Sequence, residues 1–192
     1  MIGCRAGRRR GAPLALLLSL ALVAQVVLPP SAAAAVLVSS KRGFTIESSV
    51  HTDADAAASW RALTRDVGRW WLSEHTWWGR ADRLRIEARA GGCFCEKSGS
   101  REAEHLRVTM VSPPKLLRMN GGLGPLQGMG FSGVLEFRLA ADDAGGTRIT
   151  LHYRVGGYSD QDPRGLAPAV DAVLSAQLQA LTEYLREPKP RS

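Results

Sequence analysis

The chain has 192 residues and a formal net charge of +7, from 25 Lys and Arg against 18 Asp and Glu. This length is enough for one ordinary domain and leaves little for a second. Residues 1–35 hold four arginines and no acid, so the rest of the chain carries only +3 with dispersed arginines, which excludes nucleic acid as an expected partner.

Residues 1–35 are predicted to be a signal peptide. Arginines precede the apolar run from Pro13 to Leu28, and the small residues Ala33 and Ala35 suit the −3 and −1 positions of a cleavage site. This order predicts Sec-type export by a bacterium into the periplasm or the medium, with no stable membrane span once the signal is removed. A membrane anchor is the alternative, although the apolar run is short for a span. The mature protein is then a single domain, residues 36–192.

The first predicted elements of that domain are one strand and one short helix. Gly43 to Val50 alternates apolar and polar residues, as a half-buried strand does. Thr52 or Asp53 can cap the helix that follows, whose apolar residues recur at helical spacing up to Val67. The helix is expected to break near Gly68.

Four of the five tryptophans, Trp70, Trp71, Trp77 and Trp78, lie within residues 68–79, which we call the tryptophan segment. An indole ring is mostly apolar and carries one N–H donor, so it suits a rim between a dry cavity and water. At roughly 25 cal/mol per Å², burial of each ring contributes a few kcal/mol. The segment is therefore predicted to border a cavity, with Trp70 and Trp71 pointing to different sides. Docking on a membrane surface is the alternative, although flanking basic residues are few.

From Arg83 onward the apolar pattern has period two, which predicts six further strands joined by turns. They are "RLRIEARA", "GCFCEK", "HLRVTMVSPP", "LLRMN", "GVLEFRLAA" and "TRITLHYRVGGY". A long helix from Leu166 to Arg186 carries an apolar stripe and ends before Pro188. The predicted fold class is α+β: a curved antiparallel sheet of six to seven strands wrapped around a long C-terminal helix, with short helices after the first strand.

Cys93 and Cys95 are the cysteines that remain after signal removal, and they point to the same face of a predicted strand. Whether they form a disulfide in an oxidising compartment stays open. Glu96 and His105 could join them around zinc, but a single cysteine pair without a second ligand pair is a weak signal, so no metal is expected. His105 is out of phase with Leu106, which predicts an outward-facing or interface histidine.

The chain contains no nucleophile elbow, zinc-protease motif or Walker motif. The stretch "GMGFSG" matches a dinucleotide-binding pattern, but it precedes a strand in an antiparallel hairpin and is predicted to be a loop, so no cofactor is expected. Glu96 and His75 are candidate acid–base groups if an apolar cavity shifts their pKa. The alternative for Glu96 is an ion pair with an arginine on a neighbouring strand.

Four local patterns occur in a characteristic order: the Trp70–Trp71 pair, "AGGCFCE", the strand from His105 that ends at Pro114, and "GGTRITLHYRV". With the order of elements, they resemble the SRPBCC superfamily, which includes START lipid-transfer domains, birch-pollen-allergen-type carriers, polyketide cyclases and activators of the heat-shock ATPase. The resemblance covers residues 44–185. It implies a helix-grip fold that holds an apolar ligand between the sheet and the C-terminal helix. An export signal departs from the cytosolic branches, so co-chaperone activity is set aside.

The resulting hypothesis is an exported protein that binds a small hydrophobic molecule in that cavity without turnover. The first alternative is a cyclase- or hydrolase-type enzyme that acts on a hydrophobic substrate, with Glu96 or His75 as base. The second is a partner-binding module that forms a homodimer through Trp77 or Trp78. No catalytic residue is assigned. The predicted ligand-binding residues are Trp70, Trp71, Trp78, Phe94, Glu96, Met110, Met119, Met129 and Tyr153.

Overall fold

The computed structural model describes residues 1, 3 and 33–187. Most of the predicted signal peptide therefore lies outside the described residues. The strands are β1 Ala33–Ser40, β2 Gly43–Thr52, β3 Leu84–Ile86, β4 Cys93–Ser98, β5 Arg101–Ser112, β6 Leu116–Gly121, β7 Phe131–Ala141 and β8 Thr147–Gly157. The α-helices are α1 Ala56–Arg65, α2 Val67–Trp70 and α3 Pro163–Arg186. None of the described helices combines the length and apolar character needed to cross a bilayer.

The eight described strands form one antiparallel sheet in the order β1-β2-β8-β7-β6-β5-β4-β3. The α+β class, the antiparallel sheet and the long C-terminal helix are as predicted, but the sheet has eight strands instead of six to seven. The additional strand is β1, at the sheet edge. Its residues Val36, Leu37 and Val38 are all exposed, so β1 lacks the one-sided apolar pattern by which the other strands were predicted.

The first helical region differs from its prediction in two details. The carboxylate of Asp55 caps α1 by accepting a hydrogen bond of 2.7 Å from the Ala58 N–H, whereas Thr52 still belongs to β2. The helix is interrupted at Asp66 and resumes as α2, which contains Gly68. A Cβ atom on Gly68 would lie 2.9 Å from the Ala81 carbonyl oxygen, so this position requires glycine for close packing, not for a break.

α3 covers only part of the sheet. It begins at Pro163, three residues earlier than predicted, because the Asp162 carboxylate caps its first turn by accepting from the Arg164 N–H. Its contacts with the sheet are mainly to β1 and β2, where the Ser48 and Ser175 hydroxyl groups form a 2.9 Å hydrogen bond. At the opposite side of the sheet, β3 to β5 diverge from the helix. The gap between them contains the candidate site.

β5 contains two irregularities that decide which side chains reach that gap. In its pairing with β4, Phe94 lies opposite Leu106 and Cys95 lies opposite Glu104, so His105 is an extra residue in the strand. His105 and Leu106 are consequently both buried, at 5% and 1% exposure. The prediction of an outward-facing His105 is therefore wrong, because simple alternation does not continue through a bulge.

Candidate ligand-binding pocket

A pocket of about 350 Å³ lies between α3 and the β3 to β5 part of the sheet. Most of its lining is apolar. Leu84, Phe94 and His105 line it from the sheet, and Leu166, Val170 and Leu174 line it from α3. The two remaining sides are formed by the tryptophan segment and by the loop at residues 122–130, which we call the glycine-rich loop.

The tryptophan segment closes one side of the pocket. Trp70 and Trp71 point to different sides, as predicted: the Trp70 Nε1–H donates to the Ala62 carbonyl in the core, whereas Trp71 lines the pocket. The Trp71 Nε1–H donates to the His75 carbonyl at 3.1 Å, which fixes the 3-10 turn between them. Trp77 lines the pocket and remains 48% exposed, so it borders the opening to solvent.

The glycine-rich loop closes another side of the pocket and contributes Leu123, Leu126 and Met129. The hydroxyl of Tyr153 holds this loop, because it donates to the Gly121 carbonyl at 3.0 Å and accepts from the Leu123 N–H at 3.1 Å. Tyr153 is fully buried, and burial raises its pKa to about 12. Its role in the structure is to anchor the loop, and it does not line the pocket.

Glu96 is a fully buried carboxylate behind the pocket wall. Its two oxygens accept hydrogen bonds from the backbone N–H groups of Trp77 at 2.9 Å and Trp78 at 3.1 Å, and Oε2 lies 3.3 Å from the His105 Nε2. The alternative of an ion pair with an arginine is therefore wrong. Glu96 is absent from the pocket lining, so in this arrangement its carboxylate does not face a substrate directly.

His105 stands between Glu96 and the pocket, which it lines. Burial lowers the pKa of His105 below its ordinary value of 6.5, and the nearby Glu96 carboxylate opposes this effect without reversing it. The imidazole is therefore neutral at pH 7. The His105 ring also contacts the Phe94 ring, with a centroid distance of 5.2 Å, so both Glu96 and Phe94 restrict its orientation.

A second histidine, His75, lines the pocket from the tryptophan segment. The side chain of Gln177, a residue of α3 that is only 1% exposed, contacts both His75 and the backbone of Leu72. The Gln177 Oε1 accepts from the Leu72 N–H at 2.9 Å, and its amide nitrogen lies 2.7 Å from the His75 Nδ1. The tryptophan segment is thus attached to α3 through Gln177 and to the sheet through Glu96.

The structure brings three of the nine predicted ligand-binding residues to the pocket: Trp71, Phe94 and Met129. Glu96 lies one side chain behind the lining. Trp70, Met119 and Tyr153 are core residues. Trp78 packs against Arg101, whose guanidinium lies 5.2 Å from the ring centroid.

Met110 is placed wrongly by the alternation pattern. A register shift in β5 between Val108 and Met110 puts Met110 on the outer face, where it is 42% exposed, and turns Val111 toward the core. The pocket residues missed as ligand contacts include His105 and the α3 residues. The α3 stripe was visible in the sequence as a packing face, but no sequence signal located the bulge at His105.

The residues considered for zinc do not converge. Cys93 and Cys95 form a disulfide in β4, on the face opposite to Phe94 and Glu96, since neighbouring residues of a strand alternate. A carboxylate oxygen of Glu104 lies within 4.8 Å of both sulfur atoms. His105 and Glu96 lie on the pocket side of the sheet, so the sheet separates the two halves of the suggested ligand set.

No protein-family model and no curated protein matches the chain. Solved structures do resemble it. A conserved protein of unknown function from Enterococcus faecalis is 17% identical, with a TM-score of 0.54 over 79% of this chain and 77% of its own. An uncharacterised protein from Rhizobium leguminosarum is 19% identical, with a TM-score of 0.56 over 82% and 98%. A Bacillus halodurans protein is 17% identical, with a TM-score of 0.55 over 77% and 100%. This similarity shows a shared fold.

Proposed function

We propose that this protein is an exported member of the SRPBCC superfamily, with a helix-grip fold, that binds a small hydrophobic molecule in the pocket between its sheet and α3. The observation that supports the proposal is the pocket itself, which is about 350 Å³ in volume and lined mainly by apolar side chains. Its lining side chains have no protein neighbours on the pocket side and face the opening to solvent, so part of their possible dispersion contacts with apolar groups is not made. Binding of an apolar ligand recovers those contacts and removes apolar surface from water.

The dimensions of the pocket restrict the ligand. Its volume is at the lower end of the roughly 300–1,000 Å³ range of small-molecule sites. A pocket of this volume suits a compound of two fused rings or a medium-length acyl chain better than a sterol or a two-chain lipid. The opening lies beside Trp77 and Met129, which are 48% and 37% exposed, so apolar surface continues from the pocket to its mouth.

The experiment is a titration of tryptophan fluorescence with aromatic compounds and medium-chain alcohols, combined with native mass spectrometry of the purified protein. Val170→Phe adds a ring at a pocket-lining position of α3 and should weaken binding at least tenfold by filling the space. Ala172→Phe adds the same ring at an exposed position of the same helix and should bind normally. Equal affinity of the two variants, or no binding of any compound to the unmodified protein, would contradict the proposal.

A second candidate function is a cyclase-type enzyme acting on a hydrophobic substrate in the same pocket. The arrangement that favours it is a neutral histidine, His105, with a buried carboxylate on its far nitrogen, which is how many enzymes position a general base. In this version His105 contacts the substrate and Glu96 is a positioning residue. Liquid chromatography with mass detection of a bound compound after long incubation separates the two functions, because a carrier returns the compound unchanged, whereas an enzyme changes its retention time or its mass in a manner that His105→Gln abolishes.

A further inference from the structure

We infer that the pocket recognises a hydroxyl group, as in a phenol or an alcohol, on an otherwise apolar ligand, through a fixed N–H donor on His75 and a fixed nitrogen acceptor on His105. The inference rests on the proposed binding function and specifies the chemical class of its ligand. It follows from the hydrogen bonds behind the two histidines, which leave His75 one protonation pattern, and from the burial of His105, which favours its neutral ring because no described residue accepts a hydrogen bond from its Nδ1.

The first chain of hydrogen bonds fixes His75. The Leu72 backbone N–H can only donate, so the atom of Gln177 that it contacts at 2.9 Å must be the amide oxygen. The amide nitrogen of Gln177 is then the donor that lies 2.7 Å from His75 Nδ1. Nδ1 therefore carries no proton, and the neutral ring has its proton on Nε2. Since His75 lines the pocket, this Nε2–H is the donor available to a ligand.

The second chain fixes His105 in the complementary sense. The backbone N–H groups of Trp77 and Trp78 both donate to Glu96, which identifies that side chain as an acceptor. The neutral His105 must then donate its Nε2–H to Glu96, at 3.3 Å. Nδ1 is left with a lone pair, and no described residue donates a hydrogen bond to it. Because His105 lines the pocket, this nitrogen is an acceptor in an apolar wall.

The lining thus offers one donor and one acceptor among apolar side chains, and a hydroxyl group can use both, by accepting from His75 and donating to His105. An ether matches only the donor of His75, and a hydrocarbon matches neither. A carboxylate has a negative charge and no proton to donate. It therefore leaves the His105 Nδ1 without a donor, and its oxygens are repelled by the lone pair of that nitrogen. Sites built to hydrogen-bond a hydroxyl discriminate against analogues without one for this reason.

The first test reads the protonation patterns directly in the ligand-free protein. Nitrogen-15 NMR of the histidine rings at pH 7.5 should show His75 and His105 as neutral rings with the proton on Nε2. A proton on Nδ1 of either ring, or a charged His105, would overturn the inference. This measurement needs no variant and no ligand.

The second test compares four probes with the same apolar body. The affinity should decrease from 2-naphthol to 2-methoxynaphthalene to naphthalene, by about five- to tenfold at each step. The carboxylate 2-naphthoate should bind more weakly than 2-naphthol. In His75→Phe the ether should lose its advantage over naphthalene, whereas His152→Phe, which changes a histidine outside the pocket lining, should keep the full order.

The outcomes separate this inference from the proposed function. Equal affinity for the three neutral probes would overturn the inference and leave an apolar binding protein. Absence of binding by all four would overturn the proposed function, and the ligand class with it. The expected order, its loss in His75→Phe and the expected NMR pattern together would support both.

Discussion

At the scale of single residues, the buried pair of Glu96 and His105 determines the electrostatics of the pocket. A carboxylate without solvent contact is stable in a protein only when donors surround it. Here two backbone N–H groups and one imidazole supply them. His105 is buried together with the carboxylate, and this burial lowers its pKa even though Glu96 lies beside it.

The lowered pKa of His105 predicts a loss of stability in mild acid. The unfolded chain takes up this proton near pH 6.5 and the folded chain only at lower pH, so the contribution is complete above 6.5 and is lost as the pH falls toward the folded value. The unfolding free energy should therefore decrease between pH 7.5 and 5.5, by at most about 1.4 kcal/mol per pH unit for one group. Urea unfolding at several pH values measures this.

His105→Gln keeps an N–H donor for Glu96 and should reduce that decrease. The pKa of His152 is also lowered, by partial burial and two nearby arginines, so His152→Gln should remove only its own part of the decrease and leave the contribution of His105 in place. Glu136, whose ordinary pKa is 4.5 and which is lowered further, titrates below this pH range. An unchanged pH dependence in His105→Gln would contradict the assignment.

At the scale of elements, the tryptophan segment is held by two hydrogen-bonded side chains on different elements, Glu96 on β4 and Gln177 on α3. Gln177→Leu removes the acceptor of the Leu72 N–H and the donor to His75. We expect faster hydrogen exchange of amides in the segment and a loss of about 1–3 kcal/mol in unfolding free energy.

Gln179→Leu is the matched control for that change, since Gln179 is an exposed residue of the same helix. It should alter the unfolding free energy by less than about 0.5 kcal/mol and leave exchange in the segment unchanged. If both variants exchange alike, Gln177 does not attach the segment to α3.

Sequence periodicity was sufficient for seven strands and the long helix, because most of these elements bury one regular apolar face. The clustering of four tryptophans, not periodicity, indicated that the tryptophan segment borders a cavity. Periodicity could not locate the bulges in β5, since one extra residue leaves composition and average pattern unchanged. His105 and Met110 were both misplaced for that reason. Glu96 was noticed as a chemical group, but its donors come from Trp77 and Trp78, whose backbone positions no local pattern encodes.

At the scale of the whole molecule, the predicted signal cleavage site after Ala35 lies within β1, the strand at the edge of the sheet. β1 begins at Ala33, so cleavage would leave Val36 to Ser40 paired with β2. A chain that starts at Val36 should therefore fold, whereas a chain that starts at Gly43 exposes the edge of β2 and removes the contact of β1 with α3. Urea unfolding and light scattering should show the shorter chain to be less stable and prone to association. Equal behaviour of the two chains would show that β1 is dispensable.

The double attachment of the tryptophan segment has a consequence for the timing of binding. Movement of the segment away from the pocket breaks the bonds of Trp77 and Trp78 to Glu96 and of Leu72 to Gln177. His75 then also loses Gln177, the partner that sets its proton, whereas His105 keeps Glu96 on the neighbouring strand. The donor of His75 is therefore fixed only while the segment is attached, and we expect the dissociation rate of a bound molecule to rise when one of these main-chain hydrogen bonds is removed.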